Sequence, residues 1–156
     1  MRKKLLLSVA LFAGAMLALS ACGSTGTVET IDARPVIHFD AASIISSARD
    51  HHLKMLTLSS IPRNDVNVPG AVEELQGMQA DNDMYLTELE RLRHEDSSAD
   101  EFKDLVVEYL EAENAYIDQT IEALYGGASS RPSRFSMESL YSRINANVSD
   151  FRYEPK

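Results

Sequence analysis

The chain of 156 residues has one cysteine, no tryptophan, seven glycines and five prolines. A lone cysteine excludes an internal disulfide in any redox compartment, so the fold must rest on packing. The scarcity of glycine, proline and β-branched clusters argues against a sheet-rich fold with many tight turns. Bases are also short: 15 Lys and Arg stand against 24 Asp and Glu, a formal charge of −9. That balance argues against nucleic acid as a partner and against a polybasic grip on anionic lipid. No Gly-Lys-Ser phosphate loop, Gly-x-Ser-x-Gly elbow or cysteine nucleophile is present, and there is no internal repeat. Di-iron bundles carry Glu-x-x-His on two helices, whereas Glu90 and His94 stand four apart. Neighbouring His51 and His52 would point about 100° apart on a helix and cannot easily grip one metal. The stretch Asp65-x-Asn67-x-Pro69-Gly70 is similar to the start of a calcium loop, but Pro69 and Gln76 stand where its fifth and twelfth ligands belong. It reads as an Asx-Pro-Gly turn. The expectation is a protein without cofactor, metal or catalytic motif, and not an enzyme.

What is present begins at the amino terminus. Arg2-Lys3-Lys4 precedes an almost wholly apolar run from Leu5 to Leu19. The run is shorter than the about 20 residues a spanning helix needs. Small residues Ser20 and Ala21 then lead to Cys22. Leu19-Ser20-Ala21-Cys22 resembles the lipobox of bacterial lipoprotein precursors. The resemblance implies a signal peptide over 1–21, a diacylglyceryl group with palmitate-type chains on the Cys22 thiol, and cleavage before Cys22. It places the protein outside the cytoplasm, anchored to a membrane by Cys22. Gly23 stands where Asp would retain a Gram-negative lipoprotein at the inner membrane. The anchor would therefore lie in the outer membrane of a Gram-negative source, or in the cell membrane of a Gram-positive one. Removing 21 of the 156 residues leaves 135, with 12 bases against 24 acids and a charge of −12. Residues 22–39 read as the lipidated cysteine and a flexible tether.

Four helical stretches follow, and their spacing predicts an all-α fold, an antiparallel up-down-up-down four-helix bundle over 40–151 with a tail at 152–156. The alternative is a three-helix bundle with one terminal helix loosely docked. Asp40 can cap a first helix to about Ile61, stopped by Pro62, with Ile44, Ile45, Ala48, Met55 and Leu56 inward. A second runs from about Gly70 to His94 along a seven-residue seam of Val68, Ala71, Leu75, Met78, Asn82, Tyr85, Leu89 and Leu92. Ser98 with Glu101 forms a capping box for a third, ending at Gly126-Gly127, with Phe102, Val106, Tyr109, Ile117, Thr120 and Leu124 inward. Its acids Asp104, Glu108, Glu111, Asp118 and Glu122 lie on the opposite, solvated side. Ser133 or Ser136 opens a fourth helix to about Phe151, with Met137, Leu140, Tyr141, Ile144 and Val148 inward. Arg131 and Arg134 make a small basic spot in the loop before it.

Short connections force neighbouring helices to fold back on each other. Asn82 then falls opposite Glu113, with Arg49 or His52 and also Asn147 at the same level. These five residues are the candidate binding residues of the body. Three readings stay open: a hydrogen-bonded layer that fixes register, side chains that simply face water, or a pocket for a ligand or metal. At the level of function, anchor and bundle without visible chemistry predict a non-catalytic adaptor that binds another protein. The alternative is an envelope lipoprotein that binds a small ligand or metal at the polar layer. A third is an envelope hydrolase whose site is assembled from distant residues.

Overall fold

The computed structural model describes residues 32–62, 65–126 and 134–156. Helix α1 (Ala41–Leu58) opens at Asp40, whose carboxylate accepts the Ser43 backbone N–H at 3.0 Å and the Ser43 hydroxyl at 2.7 Å. It ends before Ile61 because Ser59 and Ser60 intervene. Their hydroxyls donate to the carbonyls of Leu56 and Thr57, at 3.3 and 2.6 Å, and so satisfy helix-end acceptors that lack a partner. Helix α2 (Val68–Arg91) follows an Asx turn in which Asp65 accepts both the backbone N–H and the side-chain amide of Asn67. At its other end Arg93 donates to the carbonyls of Glu90 and Leu92, a cation at the negative pole of the helix.

Helix α3 (Ser97–Leu124) is capped by Asp96 rather than by Ser98. The Asp96 carboxylate accepts both the backbone N–H and the hydroxyl of Ser98. Both residue types cap well; Asp96 stands where the chain is still extended, as a cap requires. The helix closes at Gly126, whose φ of 86° is left-handed backbone that a side chain would strain. Helix α4 (Phe135–Asn147) passes into a short 3₁₀ turn at Val148–Asp150. Among the described residues no side chain caps its start, at Arg134.

These four helices make the body an all-α bundle. Helix α2 packs along α3, α3 along α4, and α1 touches α2 and α4. Gln79 bonds Asp118 while Asp83 bonds Asn114, so α2 and α3 run antiparallel. Phe39 meets Phe102 and His51 meets Glu113, so α1 and α3 run in the same direction. Between them lie fully buried Met55, Leu75, Leu89, Val106, Leu110, Ile117 and Ile144. Each large side chain removed from water in this way contributes about 1.5–3 kcal/mol. The acids Asp104, Glu108, Glu111, Asp118 and Glu122 are all exposed. Leu56 departs from its expected inward place and is 43 % exposed, one residue round the helix from buried Met55.

The body reaches further upstream than a tether to residue 39 would allow. Strand β1 (Val36–Ile37) pairs in parallel with β2 (Arg152–Tyr153) at the other end of the chain. The Arg152 N–H donates to the Pro35 carbonyl at 2.9 Å, and the Glu154 N–H to the Ile37 carbonyl at 3.0 Å. Two paired residues hold nothing alone; the clasp is fastened by its apolar side chains. Ile37 and Phe39 are buried, and Phe102 stacks between Phe39 and Phe151 at ring-centre distances of 6.0 and 4.5 Å. Among the described residues no helix is long and apolar enough to cross a membrane.

Candidate functional site

Halfway along α3 the apolar stripe is broken by Glu113, which has no exposure to solvent at all. Its carboxylate is met by three groups. The Tyr109 hydroxyl, one turn earlier, donates to Oε1 at 2.9 Å. The Asn82 side-chain amide, from α2, donates to Oε2 at 2.8 Å. His51 Nδ1, from α1, lies 3.3 Å from the same oxygen and donates in the tautomer that carries its proton there. A buried carboxylate costs several kcal/mol unless such partners replace water, and here three helices supply them. The Tyr109 hydroxyl is pushed well above the ordinary tyrosine value, first by burial and then by the charge of Glu113. Tyr109 therefore stays a donor.

The network continues to the surface on one side. Asn82 also donates to Asn114 Oδ1 at 2.9 Å, and Asn114 donates to Asp83 at 3.0 Å. Gln79 bonds Asp118 at 2.7 Å. The far nitrogen of His51 lies 3.3 Å from the Ser47 hydroxyl and 3.7 Å from Asp81. Ser47, His51 and Glu113 thus stand in the order of nucleophile, base and orienting acid. Helix α1 does not itself supply what an acyl-transfer site needs beyond that order. Such a site needs backbone donors aimed at a developing oxyanion. Ser47 lies inside α1, where neighbouring N–H groups are already spent on the helix's own carbonyls.

Of the residues singled out from sequence, Asn82 and Glu113 meet directly. Arg49 and His52 are not in this layer. They line a cleft between α1 and α4, floored by Tyr109, with Met137, Glu138 and Tyr141 on its other wall. Asn147 is also outside the layer: it is exposed and donates to the Arg143 carbonyl at 2.7 Å. The histidine of the layer is His51. It stands in register with Ile44, Ala48, Met55 and Leu58, a four-three alternation visible in the sequence. Cys22 and the basic spot at Arg131 lie outside the described residues.

A second polar cluster ties the clasp to the α2–α3 turn. His94 Nε2 accepts the His38 backbone N–H at 3.2 Å, while its Nδ1 lies 3.1 Å from Asp100. The two imidazoles stack 5.6 Å apart. The Asp100 carboxyl is held below its ordinary value first by the Lys103 ammonium and then by His94. Among the described residues no cluster of three metal-ligating side chains occurs. No family model, no curated protein and no solved structure matches this chain.

Proposed function

We propose that the chain is a lipid-anchored lipoprotein of a bacterial envelope, a helical body held at the membrane by acylated Cys22, which works by binding and not by catalysis. The observation that carries this reading is Leu19-Ser20-Ala21-Cys22 behind a charged start and a short apolar run, with Cys22 the chain's sole cysteine. Two long acyl chains bury enough methylenes to contribute on the order of 20 kcal/mol, which makes attachment effectively permanent. With Gly23 after the cysteine, a source with two membranes would carry the protein on the outer one.

The binding role is supported by how the buried polar groups are used. Glu113 spends its carboxylate on His51, Asn82 and Tyr109. A carboxylate engaged from three helices at once specifies helix register, which is a structural use of buried polar groups. On the outer side of α1, Leu53 and Leu56 stand one turn apart and are 56 % and 43 % exposed. Covering them with a protein partner would return about 25 cal/mol for each Å² removed from water.

Mass spectrometry of the processed protein tests the anchor. The amino-terminal peptide should begin at Cys22 and carry fatty acyl groups, and Cys22→Ser should abolish both acylation and membrane retention. An unacylated wild-type product free in the medium would end the reading. Crosslinking in membranes tests the partner: captured neighbours should be lost when Leu53 and Leu56 are both changed to Asp.

A further inference from the structure

The cleft between α1 and α4 encloses about 230 Å³. Its two walls carry opposite charge. Arg49 and His52 stand on α1, and Glu138 stands on α4. Neither Arg49 nor His52 makes an ion pair or side-chain hydrogen bond among the described residues. Among the described residues the Glu138 carboxylate is engaged only by Arg134, one turn earlier, at 3.8 Å and half in water, a pairing worth little. Arg49 and Glu138 share the cleft without pairing with each other.

The floor has a different chemistry. Tyr109 and Tyr141 lie 6.1 Å apart and tilted, beside buried Met137. Tyr109 has committed its hydroxyl to Glu113. At 2 % exposure Tyr109 gives the cleft only a sliver of its ring, so the partly exposed Tyr141 supplies the aromatic surface that takes an apolar or aromatic group edge-on or offset. The cleft therefore has an apolar bottom and a cationic and an anionic lip. Its volume is below the about 300 Å³ at which drug-sized ligand pockets begin. That argues for a molecule smaller than a drug-sized ligand.

We propose that this cleft binds a free α-amino acid with an aromatic or aliphatic side chain. The carboxylate pairs with the Arg49 guanidinium, with His52 as a second donor. The ammonium faces Glu138. The side chain lies against Tyr109, Tyr141 and Met137. A simple organic anion would meet Arg49 but be repelled by Glu138, and a simple amine would meet the reverse, so the charge pattern selects a molecule that carries both. The site goes beyond the anchor and adaptor reading and does not depend on it.

Isothermal titration of the detergent-solubilised protein with L-phenylalanine, L-leucine and glycine tests the proposal. Phenylacetate and phenethylamine serve as probes with one charge each. L-phenylalanine or L-leucine should bind saturably, and glycine and the two singly charged probes about tenfold or more weakly. Arg49→Ala should weaken amino-acid binding by about tenfold or more, and Glu138→Gln should erase the preference over phenylacetate. Neither change should move the thermal midpoint, because both side chains lie at the surface. Three outcomes would overturn the site: no saturable binding of any amino acid at about 10 mM, equal binding of phenylacetate, or full binding by the Arg49→Ala protein. Release of bound phenylalanine by a captured partner would keep it. Binding of the partner alone, with phenylalanine excluded at every concentration, would assign the cleft to a protein contact instead.

Discussion

The side-chain amide of Asn82 donates to Glu113 Oε2 at 2.8 Å, with both residues sealed from solvent at the α2–α3 interface. Asn82 interrupts an apolar seam, so hydrophobicity alone would favour leucine there. The geometry reverses that expectation. Asn82→Leu leaves Glu113 buried with one donor fewer and should cost about 1–3 kcal/mol. Glu113→Leu strands Tyr109, Asn82 and His51 together and should cost more, since each buried polar group left without its partner carries about 1–3 kcal/mol. Chemical denaturation of both variants measures this. A wild-type midpoint for Asn82→Leu would mean that the pair contributes nothing.

His51 and His52 are adjacent and chemically identical, yet they should respond unequally to mutation. His51 is buried and reaches Glu113, whereas His52 lies at the rim of the α1–α4 cleft. His51→Leu should destabilise the fold by about 1–2 kcal/mol. His52→Ala should stay within about 0.5 kcal/mol of wild type. Equal effects in guanidinium melts would show that the layer is not built around His51.

These residues also mark how far a sequence of this kind can be read. The four helices are legible because apolar residues recur at three- and four-residue spacing over several turns, with Asn82 and Glu113 as isolated interruptions. The level of Asn82 and Glu113 is legible because short connections fold the stripes back on each other. The azimuth is harder. Residues on successive positions point about 100° apart, so a level that admits Arg49 and His52 admits His51 as well. Only the alternation of Ile44, Ala48, His51, Met55 and Leu58 separates them. Leu56 misleads for the same reason, standing beside Met55 but facing water. The clasp was not legible. Strands of two residues have no period to detect, and their partners lie at opposite ends of the chain.

The clasp should be more than decoration on the bundle. Phe39 is 1 % exposed and is stacked on Phe102, which in turn carries Phe151. Phe39→Ala should cost about 3–5 kcal/mol, the range for emptying a buried aromatic site. The same change should expose the Arg152 and Glu154 amides, which donate to Pro35 and Ile37. Hydrogen exchange reads both amides directly. Undiminished protection at Glu154 in the Phe39→Ala protein would mean that the strands hold without their aromatic fastening.

Acid should weaken the fold through two helix caps, Asp40 and Asp96, and through the paired carboxyl of Asp100. Asp40 is held below its ordinary 3.8 first by the Ser43 N–H and then by the Ser43 hydroxyl. Asp96 is held down first by the Ser98 hydroxyl and then by its N–H, and Asp100 first by Lys103 and then by His94. A carboxyl with a lowered folded value binds its proton less readily in the native chain than in the unfolded one. Its stabilisation is therefore fully present above the ordinary value and is lost as pH falls through the lowered one. The unfolding midpoint should fall steadily below about pH 4. Asp40→Asn isolates one contribution, since the amide oxygen still caps the helix but cannot titrate. Its melt should sit close to wild type at neutral pH and decline less steeply in acid. Asp40→Ala loses the cap as well, and should cost about 1 kcal/mol at neutral pH. The gap between Asp40→Ala and wild type should narrow as the medium is acidified, because protonation removes from wild type part of what the alanine has already lost. A gap that widens in acid would reverse the sign of the effect and overturn the role given to Asp40.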